Sequence, residues 1–180
     1  LLVPVILLRS RPGKEPTPDQ PPPPIVKPDE PPHFRFRAAG PEAGLKDAVT
    51  YGAADPRNKR LSPEVDGGGI AIVDADGDGW LDIYVANGAP GLKEILAGSN
   101  PAADFLYRNN RDRTFTEAGR DMGLGFAGWS KAIATGDIDN DGDTDLYVTA
   151  LGPAGLFLNS GDGKFREIAT EAGIRNDFLW

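Results

Sequence analysis

The sequence predicts an all-β fold: a partial β-propeller of about two four-stranded blades plus flanking strands, with Asp-rich loops. Three observations carry that expectation. First, short runs rich in β-branched and aromatic residues, bounded by Gly and Asp, recur along residues 69–167. Second, the runs are periodic. Phe, seven residues, Gly and an aliphatic residue recur as Phe36…Gly44-Leu45, Phe115…Gly123-Leu124 and Phe165…Gly173-Ile174. Third, a nine-residue acidic loop occurs twice at the same place in the repeat, at 74–82 and 137–145. Four antiparallel strands per repeat of about 50–60 residues is the arrangement of a propeller blade.

The 180-residue chain carries a net charge of -8, one His and no Cys. Without Cys, disulfides and Cys/His zinc sites are excluded, as are thiol nucleophiles. With His33 alone, beside Pro32, a Ser-His-Asp triad is not expected, and His33 reads as a solvated linker residue. The acidity excludes a nucleic-acid partner, which needs basic patches.

Taken in order, Leu1–Leu8 is apolar but too short to span a bilayer. It reads as the remnant of a signal peptide or membrane anchor, and an exported, cell-surface or periplasmic protein is the expectation. No cysteine supports a lipid anchor there. Residues 9–33 read as a Pro-rich disordered linker, with ten of the 17 prolines between 9 and 32. Proline removes backbone donors, so this segment builds no sheet and reaches up to about 75 Å as an extended spacer. Residues 34–180 are the repeats, with one blade at 66–124 and a second at 125–175.

In the first blade, Gly69–Val73 leads into the acidic loop and Asp82–Ala86 leaves it. Phe105–Arg108 is the third strand. The turn at 109–113 has hairpin chemistry, and Thr114–Glu117 is the fourth strand. The second blade repeats the order with Ala132–Thr135, Asp145–Thr149, Gly155–Leu158 and Lys164–Glu167 around the turn at 159–163. The connection between second and third strands differs: residues 88–104 in the first blade, with a helical turn expected at 93–97, against 151–154 in the second. Gly67-Gly68-Gly69 precedes a strand and not a helix, so it is no phosphate cradle. Trp80, Trp129 and Trp180 are expected to pack within blades.

The acidic loops carry the chemistry. The first places Asp74, Asp76, Asp78 and Asp82 at loop positions 1, 3, 5 and 9, with Gly79 at position 6. The second places Asp137, Asp139, Asp141 and Asp145 there, with Gly142 at position 6 and Asp143 at position 7. Like charges so crowded repel one another, and they make sense as oxygen donors to a hard cation. Calcium takes six to eight oxygens in a flexible shell. An EF-hand needs Glu at position 12, where this chain has Val85 and Val148 between strand-like flanks, so that motif is rejected. Paired glycosidase carboxylates face each other across a cleft and do not crowd one loop.

A ligand loop of this spacing between two antiparallel strands resembles the FG-GAP/VCBS repeats of integrin-α-type β-propellers. Residues 63–69 followed by the first loop and Trp80-Leu-Asp82-Ile-Tyr84 are similar to the opening blades of cartilage-acidic-protein-like (ASPIC/UnbV-associated) propellers. The resemblance implies two calcium ions. Asp74, Asp76, Asp78 and Asp82 with the Trp80 carbonyl would hold one. Asp137, Asp139, Asp141 and Asp145 with the Asp143 carbonyl would hold the other. It further implies a strand around Phe36 ahead of the first full blade. Two blades do not close a propeller, so the chain reads as an N-terminal fragment whose C-terminal blades are missing. The expected function is non-enzymatic binding or adhesion toward a protein or glycan. The alternatives are an accessory or catalytic propeller of a carbohydrate-active enzyme or lectin, and a plain scaffold domain.

Overall fold

Eight strands build two separate four-stranded antiparallel sheets in the computed structural model, which describes residues 37–47, 49–52, 66–91 and 101–174. The first sheet contains β1 (Ile70–Val73), β2 (Asp82–Val85), β3 (Phe105–Asn109) and β4 (Phe115–Glu117), hydrogen-bonded in sequence order. The second repeats it with β5 (Trp129–Gly136), β6 (Asp145–Leu151), β7 (Gly155–Asn159) and β8 (Phe165–Glu167). No helix occurs among the described residues, and none there is long and apolar enough to cross a membrane. This is the expected all-β architecture of partial propeller blades.

Registers match between the sheets. Val73 pairs with Asp82 across the first loop and Gly136 with Asp145 across the second. Tyr107 pairs with Glu117 and Phe157 with Glu167 across the outer hairpins. The eight strands expected in the two blades all form, with one large difference. β5 begins at Trp129, three residues ahead of its expected start, because the pairing continues past a bulge between Ser130 and Ala132 to Trp129↔Leu151. The helical turn expected at 93–97, the Phe36 strand, the N-terminal segments, His33 and Trp180 lie outside the described residues.

The core lies between the sheets. Ala71, Val73, Tyr84 and Leu106 on one face of the first sheet meet Leu146, Val148, Phe157 and Phe165 of the second, with Met122 and Leu124 from the connection. Alternation along β1 places Ala71 and Val73 inward and leaves Ile70 and Ile72 exposed on the opposite face.

Three sets of contacts fix one blade on the next. At the first strands, Gly69 N–H donates to Lys131 O (2.7 Å) and Ser130 N–H to Asn87 O (2.9 Å). At the outer edge, Phe165 N–H donates to Met122 O (2.8 Å), as Phe115 N–H does to Ala43 O (2.7 Å). The recurring Gly of the Phe…Gly marker sits on the same spot. A Cβ on Gly123 would lie 2.3 Å from Phe165 O, and one on Gly44 2.3 Å from Phe115 O. The marker is therefore the place where each turn touches the fourth strand that follows it.

The third contact is a buried carboxylate. Asp104 accepts Asn87 N–H (2.7 Å), Tyr84 O–H (2.8 Å) and Ser130 Oγ–H (2.8 Å). It thus ties the end of β2 to β5 of the next sheet. Burial pushes its carboxyl up to about 6, against the pull of these three hydrogen bonds.

Candidate metal centre

Each acidic loop is folded by its own carboxylates, and the two are wired alike. At position 1, Asp74 accepts the N–H groups of Asp78 (3.1 Å) and Gly79 (2.8 Å), and Asp137 those of Asp141 (3.2 Å) and Gly142 (3.0 Å). At position 5, Asp78 accepts Trp80 N–H (2.8 Å) and Asp141 accepts Asp143 N–H (2.9 Å). Two left-handed residues close each loop: Gly77 and Gly79 in the first, Asn140 and Gly142 in the second, all with φ between 62° and 100°. Position 6 is Gly because its backbone is left-handed, a region Gly enters freely. Position 4 has the same need, met once by Gly and once by Asn, the side-chain-bearing residue that tolerates this region best.

Position 9 works differently from the other acidic positions. Asp82 accepts Ala75 N–H (3.0 Å) on one oxygen and Asn109 N–H (2.7 Å) on the other. Asp145 accepts Ile138 N–H (2.8 Å) and Asn159 N–H (2.8 Å) in the same way. Both are 1% exposed. These aspartates staple the loop to the end of the third strand, a duty spacing alone does not reveal. The Asn at that strand end completes the staple: Asn109 Nδ2 donates to Leu81 O (3.0 Å) and Asn159 Nδ2 to Thr144 O (3.2 Å). Asn159 Nδ2 also reaches Ala75 O (3.2 Å) in the first loop, so the second blade seals the first loop. Ala75 is accordingly 0% exposed, whereas its repeat equivalent Ile138 is 51% exposed.

Single oxygens of Asp74, Asp76 and Asp78 lie within 4.8 Å of one another, and so do those of Asp137, Asp139 and Asp145. Asp82 falls outside the first cluster and Asp141 outside the second. Desolvation raises the Asp139 carboxyl, helped by neighbouring Asp141. Burial is the main cause that raises Asp82, helped by Asp76 and Asp78. Asp78 is held low by Arg111, whose Nε (3.0 Å) and Nη2 (2.7 Å) both donate to Asp78 Oδ2.

The fit to a hard cation rests on one atom above all. Asp76 Oδ1 is buried and has no hydrogen-bond partner among the described residues. A buried carboxylate oxygen without a donor is costly, and a cation beside the Asp74 and Asp78 oxygens is what would satisfy it. The donors are hard oxygens throughout, as calcium requires.

The side chains around the loops correct one expectation and add two residues. Trp129 is buried, but Trp80 stands 47% exposed at the loop surface and does not pack in a blade. The glycine run serves close approach: a Cβ on Gly68 would collide with the Tyr51 ring, and one on Gly69 would crowd Lys131 and Ala132 of β5. Asp104 and Arg111 carried no signal of their own. The matching positions of Asn109 and Asn159 in the third strands did carry one.

Residues 91–148 match the family model of the FG-GAP-like repeat. That span covers β3 and β4 of the first sheet and β5, the second loop and most of β6. The sequence repeat is thus offset from the sheets by two strands. The chain is 31% identical to cartilage acidic protein 1 of Xenopus tropicalis and 30% identical to that of Homo sapiens, each over 111 residues. Those matches take in 60% of this chain and only 17% and 16% of the relatives, so the chain spans a small part of their length. The two four-stranded sheets are those of partial propeller blades, residues 91–148 match an FG-GAP-like repeat, and the chain is similar to cartilage acidic protein 1.

Proposed function

We propose that the chain is a calcium-stabilised propeller module of an exported or cell-surface protein, which binds a protein or glycan and catalyses no reaction. The orphaned Asp76 Oδ1, inside a loop whose wiring recurs 63 residues later, is the observation that carries the calcium reading. Asp74, Asp76 and Asp78 would hold one ion and Asp137, Asp139 and Asp145 the other, with Asp82, Asp141 and the Trp80 and Asp143 carbonyls as the further donors that the family resemblance implies. Calcium supplies two positive charges to each loop. The chain's own residues do the rest: Asp74 and Asp137 fold the loop, and Asp82 and Asp145 fix it to the sheet.

An extracellular setting is supported by the relatives, which are named for cartilage, and by the calcium level outside cells, where millimolar sites fill. The acidic groups crowd two loops instead of facing each other across a cleft, which favours metal holding over acid–base catalysis. One observation favours the glycan alternative: exposed Trp80, beside the first loop, offers an aromatic face. Calorimetry with wild-type, Asp76→Ala and Asp139→Ala tests the metal reading. Two ions per chain are expected, falling to one in each variant, and an unchanged count would refute it. Glycan-array and extracellular-protein screens test the partner, and cleavage of a polysaccharide would overturn the non-enzymatic reading.

A further inference from the structure

The two loops share their wiring but not their charge. The first has four carboxylates and Trp80 at position 7; the second has five, with Asp143 at position 7. The difference continues in the outer hairpin turns. Asn109 Oδ1 accepts Arg111 N–H (2.9 Å) in the first blade, and Asn159 Oδ1 accepts Gly161 N–H (3.0 Å) in the second, so Arg111 and Gly161 are equivalent. Arg111 sends its guanidinium back onto Asp78, an ion pair of 2.7 Å. Both Asp78 oxygens are then engaged, one by Trp80 N–H and one by Arg111. In the second blade, Asp141 accepts only Asp143 N–H among the described residues. Gly161 leaves room there for the extra acid: a Cβ on it would lie 2.4 Å from Asp143 Oδ2.

Arg111 is also held at a cost. Its φ is 65°, in the left-handed region that Gly161 enters freely at 72°. Arg113 stands in the same conformation (φ 74°) opposite Gly163, so what sets Arg111 apart is its contact with Asp78. The guanidinium lines a cavity of about 340 Å³ over the loop together with Asp76, Asp78, Arg108, Asn109 and Asn110.

We propose that Arg111 is a tethered counter-ion that competes with calcium at the first loop, making the two sites unequal, with the second loop filling first. This rests on the calcium reading above. Without calcium, Arg111 offsets part of the loop's charge and holds the outer hairpin against it. With calcium, Asp78 Oδ2 must exchange the guanidinium for the ion. Among the described residues no ion pair reaches the second loop's carboxylates, and its own turn, 159–163, contains no cation.

Terbium provides a local test, because the first loop carries Trp80 and the second carries no tryptophan. Terbium emission excited through tryptophan, and its displacement by calcium, reports the first site, while calorimetry reports both. Arg111→Gly suits the backbone at positive φ and should fold, as checked by circular dichroism. It should tighten the first site about two- to five-fold, the range an exposed ion pair is worth, and leave the second unchanged. Arg111→Lys keeps a charge without the planar fork and should fall between. Unchanged or weaker first-site binding in Arg111→Gly overturns the competition while leaving the calcium reading in place. Absence of terbium emission and of calcium heat in wild type and variant alike overturns both.

Discussion

Substituting Gly123 by Ala should separate the blades more than it disturbs the turn that holds it. Gly123 has φ +82°, where an L-residue costs about 1–2 kcal/mol. Its added Cβ would also stand 2.3 Å from Phe165 O, a backbone atom that cannot swing aside. Relieving that contact means moving β8 by roughly 1 Å and loosening the Phe165 N–H to Met122 O bond, worth about 1 kcal/mol. Packing of Phe165, Met122 and Leu124 in the core loosens with it. The sum is about 3–5 kcal/mol. Gly173 is the internal control. It has the same place in the repeat and φ +71°, but no described atom lies within 4 Å of its added Cβ. Gly173→Ala should therefore cost only the backbone term, about 1–2 kcal/mol. Urea unfolding, with the slope checked for constancy, measures both. Equal losses at the two positions would refute the assignment of the Gly–Phe contact as the joint between blades.

Three further outcomes follow from the same geometry. The Asp104 carboxyl is raised in the folded state, so its contribution to stability is fully present below its unfolded value and is lost as pH rises through about 6. Melting in chelator should thus show wild type losing up to about 3 kcal/mol between pH 4 and 7 from this group, a loss missing from Asp104→Asn, which pairs one oxygen fewer. Asn159→Ala removes bonds to Ala75 O and Thr144 O, whereas Asn109→Ala removes one to Leu81 O. The first should weaken terbium binding at the loop of the other blade, and the second should act within its own blade. Arg111→Gly, in calcium-free protein, should leave the melting temperature nearly unchanged, because the lost exposed ion pair and the relieved backbone strain offset each other.

Strand positions were legible because the local pattern and the tertiary need coincide. Ile70–Val73 and Asp145–Leu151 are short runs rich in β-branched and aromatic residues and both form strands, although which face of β1 is buried (Ala71 and Val73, not Ile70 and Ile72) does not follow from composition. The two matching sets of loop carboxylates were legible because the spacing recurs beside matching strands. What escaped depends on distant residues. β5 starts early because Trp129 and Ser130 find Leu151 and Ala150 across a bulge, and nothing local in Trp129-Ser130-Lys131 signals a strand. The stapling by Asp82 and Asp145 needs the N–H groups of Asn109 and Asn159 from a later strand. Asp104 gains its meaning only when Tyr84 and Ser130, 20 and 26 residues away, converge on it. Trp80 is exposed in the acidic loop, which composition does not show.

Thermal melting with calcium and with a chelator tests the central claim most directly. An ion present at ten to a hundred times its dissociation constant adds about 1.4–2.7 kcal/mol per site. With two sites in one cooperative unit, calcium should raise the melting temperature by roughly 10–20 °C, and chelator should reverse the rise. Identical melting curves with calcium and with chelator would contradict the account.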